Sequence, residues 1–393
     1  MPTYTLSMSI TTAEGGAGGR GRPYIGGQAL LEGVMMRAPK SFAIVVRRSD
    51  GSLRVRERAM RDGPGGVVRW PLLRGVASVV ESLKLGSEAL RFSVEQLEQD
   101  LAVRDATEKK AVKAAPHGLG VLGAFGFALF ALATADGSGP QAAGRGRPSG
   151  PRERAGTWVM LAVAVTFFVA IPQAAAAGFS RVMGLGLEVQ SPLFQALTGA
   201  FKLAVVVGYL LAIRRVPEIF RVFQYHGAEH KTITNYEAGG PMTVEAARTR
   251  TTMHPRCGTT FLVMLALVSI VVFTAIGASL PRIHTGSALL DNVAFFFVKL
   301  PFLPVIAAVT FELQRILARY FRDGPLRVFL WPGFLVQKIT TAEPSDDQLE
   351  VALASLRATL FRQEQGHAYP SEDDVAFESY GALLAAERLR PAA

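Results

Sequence analysis

Four apolar segments, residues 156–179, 193–213, 258–280 and 291–311, constrain this chain more than any other feature. A hydrocarbon core of about 30 Å takes roughly 20 helical residues to cross. Within lipid the backbone must satisfy its own N–H and C=O groups, which leaves helices or closed barrels. Segments of this length predict a mainly α, polytopic helical membrane bundle, and a composition that is 49% hydrophobic over 393 residues agrees with that class. A fifth stretch, 118–134, is rich in Gly and Ala and sits at the short limit for a span.

Charge sets the expected orientation. Lys and Arg number eighteen in 1–117, seven in 214–257 and nine in 312–393, but one each in 180–192 and 281–290. Four spans place every basic segment on one side, the cytoplasmic side of a cell (inner) membrane, with both termini there. A fifth span would export the basic N-terminal region, so 118–134 is read as re-entrant or interfacial. The formal charge of +10 is spread beside apolar runs rather than in an aromatic-studded patch, so no nucleic-acid partner is expected. The resulting organisation is a disordered tail (1–22), an N-terminal region (23–117), the short apolar stretch (118–134) and a Pro/Gly/Arg-rich linker (135–155). A first membrane hairpin (156–213), a His-rich loop (214–257), a second hairpin (258–311), a C-terminal helical region (312–365) and a loose tail (366–393) follow.

Outside the spans the sequence predicts a small cap. Residues 43–57 alternate β-branched and charged side chains around Asp50-Gly51, a β-hairpin pattern. From Arg74 to Glu98 the apolar residues follow helical spacing, predicting an amphipathic helix bent near Gly86 that packs on the membrane surface or on the bundle. Ser345 with Gln348 three residues later is a capping-box signature, followed by Leu349, Leu353, Leu356 and Leu360 on one helix stripe. Within the spans, Lys202 and Lys299 are costly in lipid. They mark an ion or substrate path, as in a transporter, or are held by an acid such as Glu312 or by carbonyls freed at Pro172, Pro301 or Pro304.

The 214–257 loop holds three of the six histidines and the single cysteine. Pro217 suits a first helical turn and Gly239-Gly240 an end, so 217 to about 236 reads as helix. His226, Glu229 and His230 then share an arc of about 100°, on the same stripe as Ile219, Val222, Phe223 and Ile233. Titratable groups on an apolar stripe call for pairing or coordination. HxxEH is the inverted zincin pattern: two imidazoles hold zinc and Glu229 is ligand or general base toward a bound water. The third ligand is left open among His254, Cys257, Glu237 and Glu245. The same loop also suits an anionic lipid headgroup through Lys231, Arg248, Arg250 and Arg256, or a structural polar cluster in a non-catalytic scaffold.

Five blocks in order, GGQALLEGVMMRAP (26–39), RGVASVVESL (74–83), FQYHGAEHKTITNYEAG (223–239), HPRCGTTF (254–261) and TTAEPSDDQLEVA (340–352), resemble the YqhQ family of bacterial multi-pass membrane proteins. The resemblance spans most of 24–362 and implies an inner-membrane, metal-dependent enzyme with no substrate assigned. It places the family's polar positions on Glu32, Glu81, His226, Glu229, His230, Lys231, His254, Arg256 and Cys257, with Lys299 and Glu312 bracketing the last span. Glu32 and Glu81 also read as ordinary partners of Arg37 or Arg74. The departure from the family pattern is the apolar segment and linker at 117–155.

Overall fold

Strands β1 (Gly26–Leu30), β2 (Gly33–Ala38), β3 (Ser41–Arg47) and β4 (Leu53–Ala59) form an antiparallel meander. They belong to a computed structural model that describes residues 22–60, 73–108, 170–276, 279–280, 283, 285–320, 325–366 and 374–386. The predicted hairpin is β3–β4, turning where Gly51 takes φ +85°. The first two strands escaped the sequence reading because β1 begins on two glycines and β2 is covered on both faces. The core run Val34-Met35-Met36 is apolar throughout instead of alternating. On one face Leu30, Met35, Phe42, Ile44 and Val46 meet Ala89 and Phe92 of α1 (Leu73–Glu108). This helix runs through Gly86 without interruption, and Gln28 of β1 lies so close to Gly86 that a Cβ there would collide with it. The predicted bend is therefore a close approach to the sheet.

The helical layer begins with α2 (Ile171–Val182), which packs on α3 (Pro192–Ile213). Next come α4 (Pro217–Glu237), which fills nearly half of the predicted loop, and the short α5 (Val244–Arg248). The Pro217 start of α4 is as predicted, and Gly239 at φ +78° ends it. Helix α6 (Gly258–Ile276) packs on α3. Helices α7 (Ala288–Lys299) and α8 (Leu303–Tyr320) are separated by a 3-10 turn at Leu300–Phe302, where Pro301 lacks the N–H that would continue the ladder. Among the described residues three helices are long and apolar enough to cross a membrane: Pro192–Ile213, Gly258–Ile276 and Leu290–Leu317. Of the remaining predicted span, 156–169 lies outside the described residues, as do 1–21, 118–134 and 135–155.

After α9 (Trp331–Thr340) an extended segment leads to α10 (Asp346–Gln365), whose capping box between Ser345 and Gln348 is formed as predicted. Leu349, Leu353 and Leu356 are fully buried. With α4, this helix covers the second sheet face, against Val34, Met36, Ala43, Val45, Leu53 and Val55. Polar groups at that contact are paired: Thr359 donates to the Met36 carbonyl at 3.1 Å, and Arg362 meets Glu57 at 3.1 Å with both side chains buried. The 366–393 region corrects the sequence reading. It contains β5 (Val375–Phe377), paired with β4, and α11 (Tyr380–Ala385). Three strand residues are too few to show a period, and the edge of β4 supplies what the local sequence does not.

Candidate metal centre

Helix α4 is pinned by the segment that follows α9, and this contact bears on its polar residues. Gly227 faces the extended segment after α9, where a Cβ would strike the Ala342 carbonyl oxygen. The Ala342 N–H donates to the Phe223 carbonyl at 2.9 Å. The next residues inward are His226, Glu229 and His230, exposed by only 6%, 5% and 1%.

Both imidazoles have their Nδ1 aimed at a backbone carbonyl, His226 at Thr340 O (2.8 Å) and His230 at Thr252 O (2.5 Å). A carbonyl can only accept, so each Nδ1 carries the proton and each Nε2 of the neutral ring bears the lone pair. His226 Nε2 lies 3.1 Å from Cys257 Sγ, and His230 Nε2 is buried with no hydrogen-bond partner. The ligand atoms of His226, His230 and Cys257 all fall within 4.8 Å of one another. A tetrahedral ion bonded at about 2.0 Å to nitrogen and 2.3 Å to sulfur spaces its ligand atoms by roughly 3.3–3.5 Å. About 1 Å of side-chain movement converts the one arrangement into the other.

Cys257 immediately precedes α6, and its carbonyl accepts from the N–H groups of Thr260 and Phe261. Burial pushes the thiol up, while the Thr259 hydroxyl, 3.1 Å from Sγ, favours the thiolate. Burial drives His230 down, toward the neutral ring that a metal needs. It also pushes the Glu229 carboxyl up to about 8, a rise that the neighbouring His226 opposes. This carboxyl occupies the space left by Gly27 of β1, where a Cβ would lie 2.6 Å from Oε1, and its Oε2 has no hydrogen-bond partner.

The structure thus brings His226, His230 and Cys257 together. His254 is buried beside them, its ring 5.6 Å from that of His230, but its Nε2 faces Glu237 at 3.7 Å. Its peptide is clamped by Gln337, which accepts from His254 N–H (2.8 Å) and donates to His254 O (2.7 Å). Glu237 is paired with Arg256, whose guanidinium sits over Tyr24 at 4.5 Å, and Glu245 is exposed on α5.

The loop's cations are engaged as well. Lys231, nearly buried, donates to Arg248 O at 2.8 Å and pairs with Glu343; Arg248 pairs with Asp346, and Arg250 donates to Asn235 at 3.1 Å. Glu32 stands in the β1–β2 turn at φ +53° and takes both arms of Arg221, at 2.6 and 2.5 Å, while Arg37 lies 3.7 Å from Glu81. Glu312 is half-buried on α8, and Lys299 closes α7. Residues missed by sequence reasoning are Gly27, Thr252, Thr340 and Gln337. Gly27 and Thr340 lie in the GGQ and TTAEP blocks already singled out, whereas Thr252 contributes only its carbonyl and leaves no side-chain signal.

Apolar helices of membrane-spanning length, joined to a sheet-and-helix cap that buries two imidazoles and a thiol together, point to a membrane-associated protein with a metal-competent cluster. The chain belongs to the family described as "Protein of unknown function (DUF1385)", whose model matches residues 70–362. It is similar to the "Uncharacterized protein YqhQ" of Bacillus subtilis (strain 168), with 29% identity over 347 residues, covering 86% of this chain and 92% of that protein. No solved structure matches it.

Proposed function

We propose that this chain is a zinc-dependent hydrolase of the inner membrane, with four spans and with its cap and both termini on the cytoplasmic side. In this reading His226, His230 and Cys257 are the ligands. The observation that carries it is the pair of Nδ1–H···O=C hydrogen bonds, which fix both imidazoles in the tautomer that offers Nε2 to an ion, the second-shell device of metal sites. Imidazole and thiolate donors favour zinc over the oxygen-seeking cations. Three protein ligands leave a fourth position for water, the arrangement of catalytic rather than structural zinc.

When bound, the metal supplies Lewis acidity that makes water a nucleophile near neutral pH. Glu229, buried beside the ligands, is the base that takes the proton. Gly27 leaves room for the carboxyl, and the Thr340 and Thr252 carbonyls hold the rings. The positive-inside distribution of Lys and Arg supports the sidedness. The alternative use of the cap, anionic-lipid binding through Lys231, Arg248, Arg250 and Arg256, is less favoured because those cations already have protein partners.

The test is metal content by mass spectrometry on detergent-purified protein made without chelators. Near-stoichiometric zinc is expected, lost in His226→Ala/His230→Ala and retained in Glu229→Gln. Hydrolysis of ester, peptide or phosphoester probes is expected to fail in Glu229→Gln. Wild-type protein without bound metal overturns the reading.

A further inference from the structure

A second polar site lies away from the cap, among the apolar helices. Lys202 stands at the middle of the 22-residue α3, and Lys299 ends α7 beside the break in the last span. Both line one open recess together with Gln173, Thr198, Phe273 and Leu303. Lys299 is 8% exposed. Its ammonium has one hydrogen bond, to Gln173 Oε1 at 3.4 Å, and lies 4.8 and 5.3 Å from the ring centres of Phe295 and Phe273. Gln173 is held in turn, its amide N–H groups donating to Asn292. Lys202 makes no hydrogen bond or ion pair among the described residues, and no carboxylate there pairs with either lysine.

Two ammonium groups sharing a low-dielectric recess repel each other and lack a counter-charge. The negative end of the α7 dipole and the aromatic faces offset one of them, Lys299. Nothing comparable serves Lys202. The charge complement of such a recess is an anion that both ammonium groups can reach. Its wall also carries Ile270, Phe296 and Leu300, and Leu300 and Leu303 are 37% and 42% exposed, so one side of the recess is apolar and partly open.

We propose that this recess binds the phosphate group of an anionic lipid, held between Lys202 and Lys299, with the acyl chains leaving past Leu300 and Leu303. The site is independent of the metal centre.

Native mass spectrometry of the full chain in detergent tests it, with phosphatidic acid as the probe and diacylglycerol of the same chains as the control that lacks the phosphate. Wild-type protein is expected to retain phosphatidic acid and not diacylglycerol. Lys202→Gln and Lys299→Gln are each expected to weaken retention by about tenfold, the value of one charge-assisted contact, whereas Lys202→Arg keeps it. Displacement of phosphatidic acid by millimolar inorganic phosphate supports the anion site and assigns its natural occupant to free phosphate. Equal retention of phosphatidic acid and diacylglycerol by wild type, a comparison that needs no variant, overturns the proposal, as does undiminished retention by the folded Gln variants.

Discussion

Gly227→Ala isolates the contact that ties α4 to the cluster. In an exposed helix interior this substitution stabilises by about 1 kcal/mol. Here the added Cβ meets the Ala342 carbonyl oxygen, with Pro344 Cδ 3.4 Å away, and the obstacle is backbone that no rotamer change can move aside. Separating the segment from α4 loses the Ala342 N–H···Phe223 O bond, about 1 kcal/mol. Overpacking adds roughly 1–3 kcal/mol. After subtracting the propensity gain, the net loss is about 1–3 kcal/mol. The same segment carries the Thr340 carbonyl that orients His226, so zinc affinity falls by about 10- to 100-fold, as for other losses of second-shell support. Thermal unfolding in detergent and a zinc titration against a competing chelator measure the two effects. A variant with an unchanged or higher midpoint and unchanged zinc affinity would refute the argument.

Three further outcomes are expected. Gly27→Ala places a Cβ against the flexible end of Glu229, so zinc stays bound while hydrolysis falls; metal content and turnover on the same preparation separate the two. Glu57→Leu removes the carboxylate that meets the buried Arg362 and costs about 3–5 kcal/mol, read as a lowered unfolding midpoint, whereas a loss under about 1 kcal/mol would mean that other groups hold Arg362. Chelation lowers the midpoint of wild-type protein, because bound metal stabilises the folded state by mass action, and leaves the midpoint of His226→Ala/His230→Ala unmoved.

Much of the cap was legible where local chemistry decides structure. Pro217 and Gly239 bound α4, Ser345 with Gln348 starts α10, and Asp50-Gly51 turns the β3–β4 hairpin. The His226/Glu229/His230 arc followed from helical spacing and is buried as one face. Long-range packing hid the rest. Strand β2 carries no alternation because both its faces are covered, β1 opens on two glycines that carry no pattern, and β5 exists only as an addition to the edge of β4. Spacing could not rank His254 against Cys257, since HPRC offers both. The choice is made by Gln337, over eighty residues away in sequence, which clamps the His254 peptide and leaves its ring facing Glu237. Gly27 could not be recognised in advance as the seat of the Glu229 carboxyl, because a glycine signals only the absence of a side chain.

The most direct test of the metal centre is the zinc K-edge absorption fine structure of the purified full-length chain. The account predicts one sulfur neighbour at about 2.3 Å and two imidazole nitrogens at about 2.0 Å, with the sulfur shell lost in Cys257→Ser. Zinc surrounded only by nitrogen and oxygen in the wild-type protein, or a sulfur shell that survives Cys257→Ser, would contradict it.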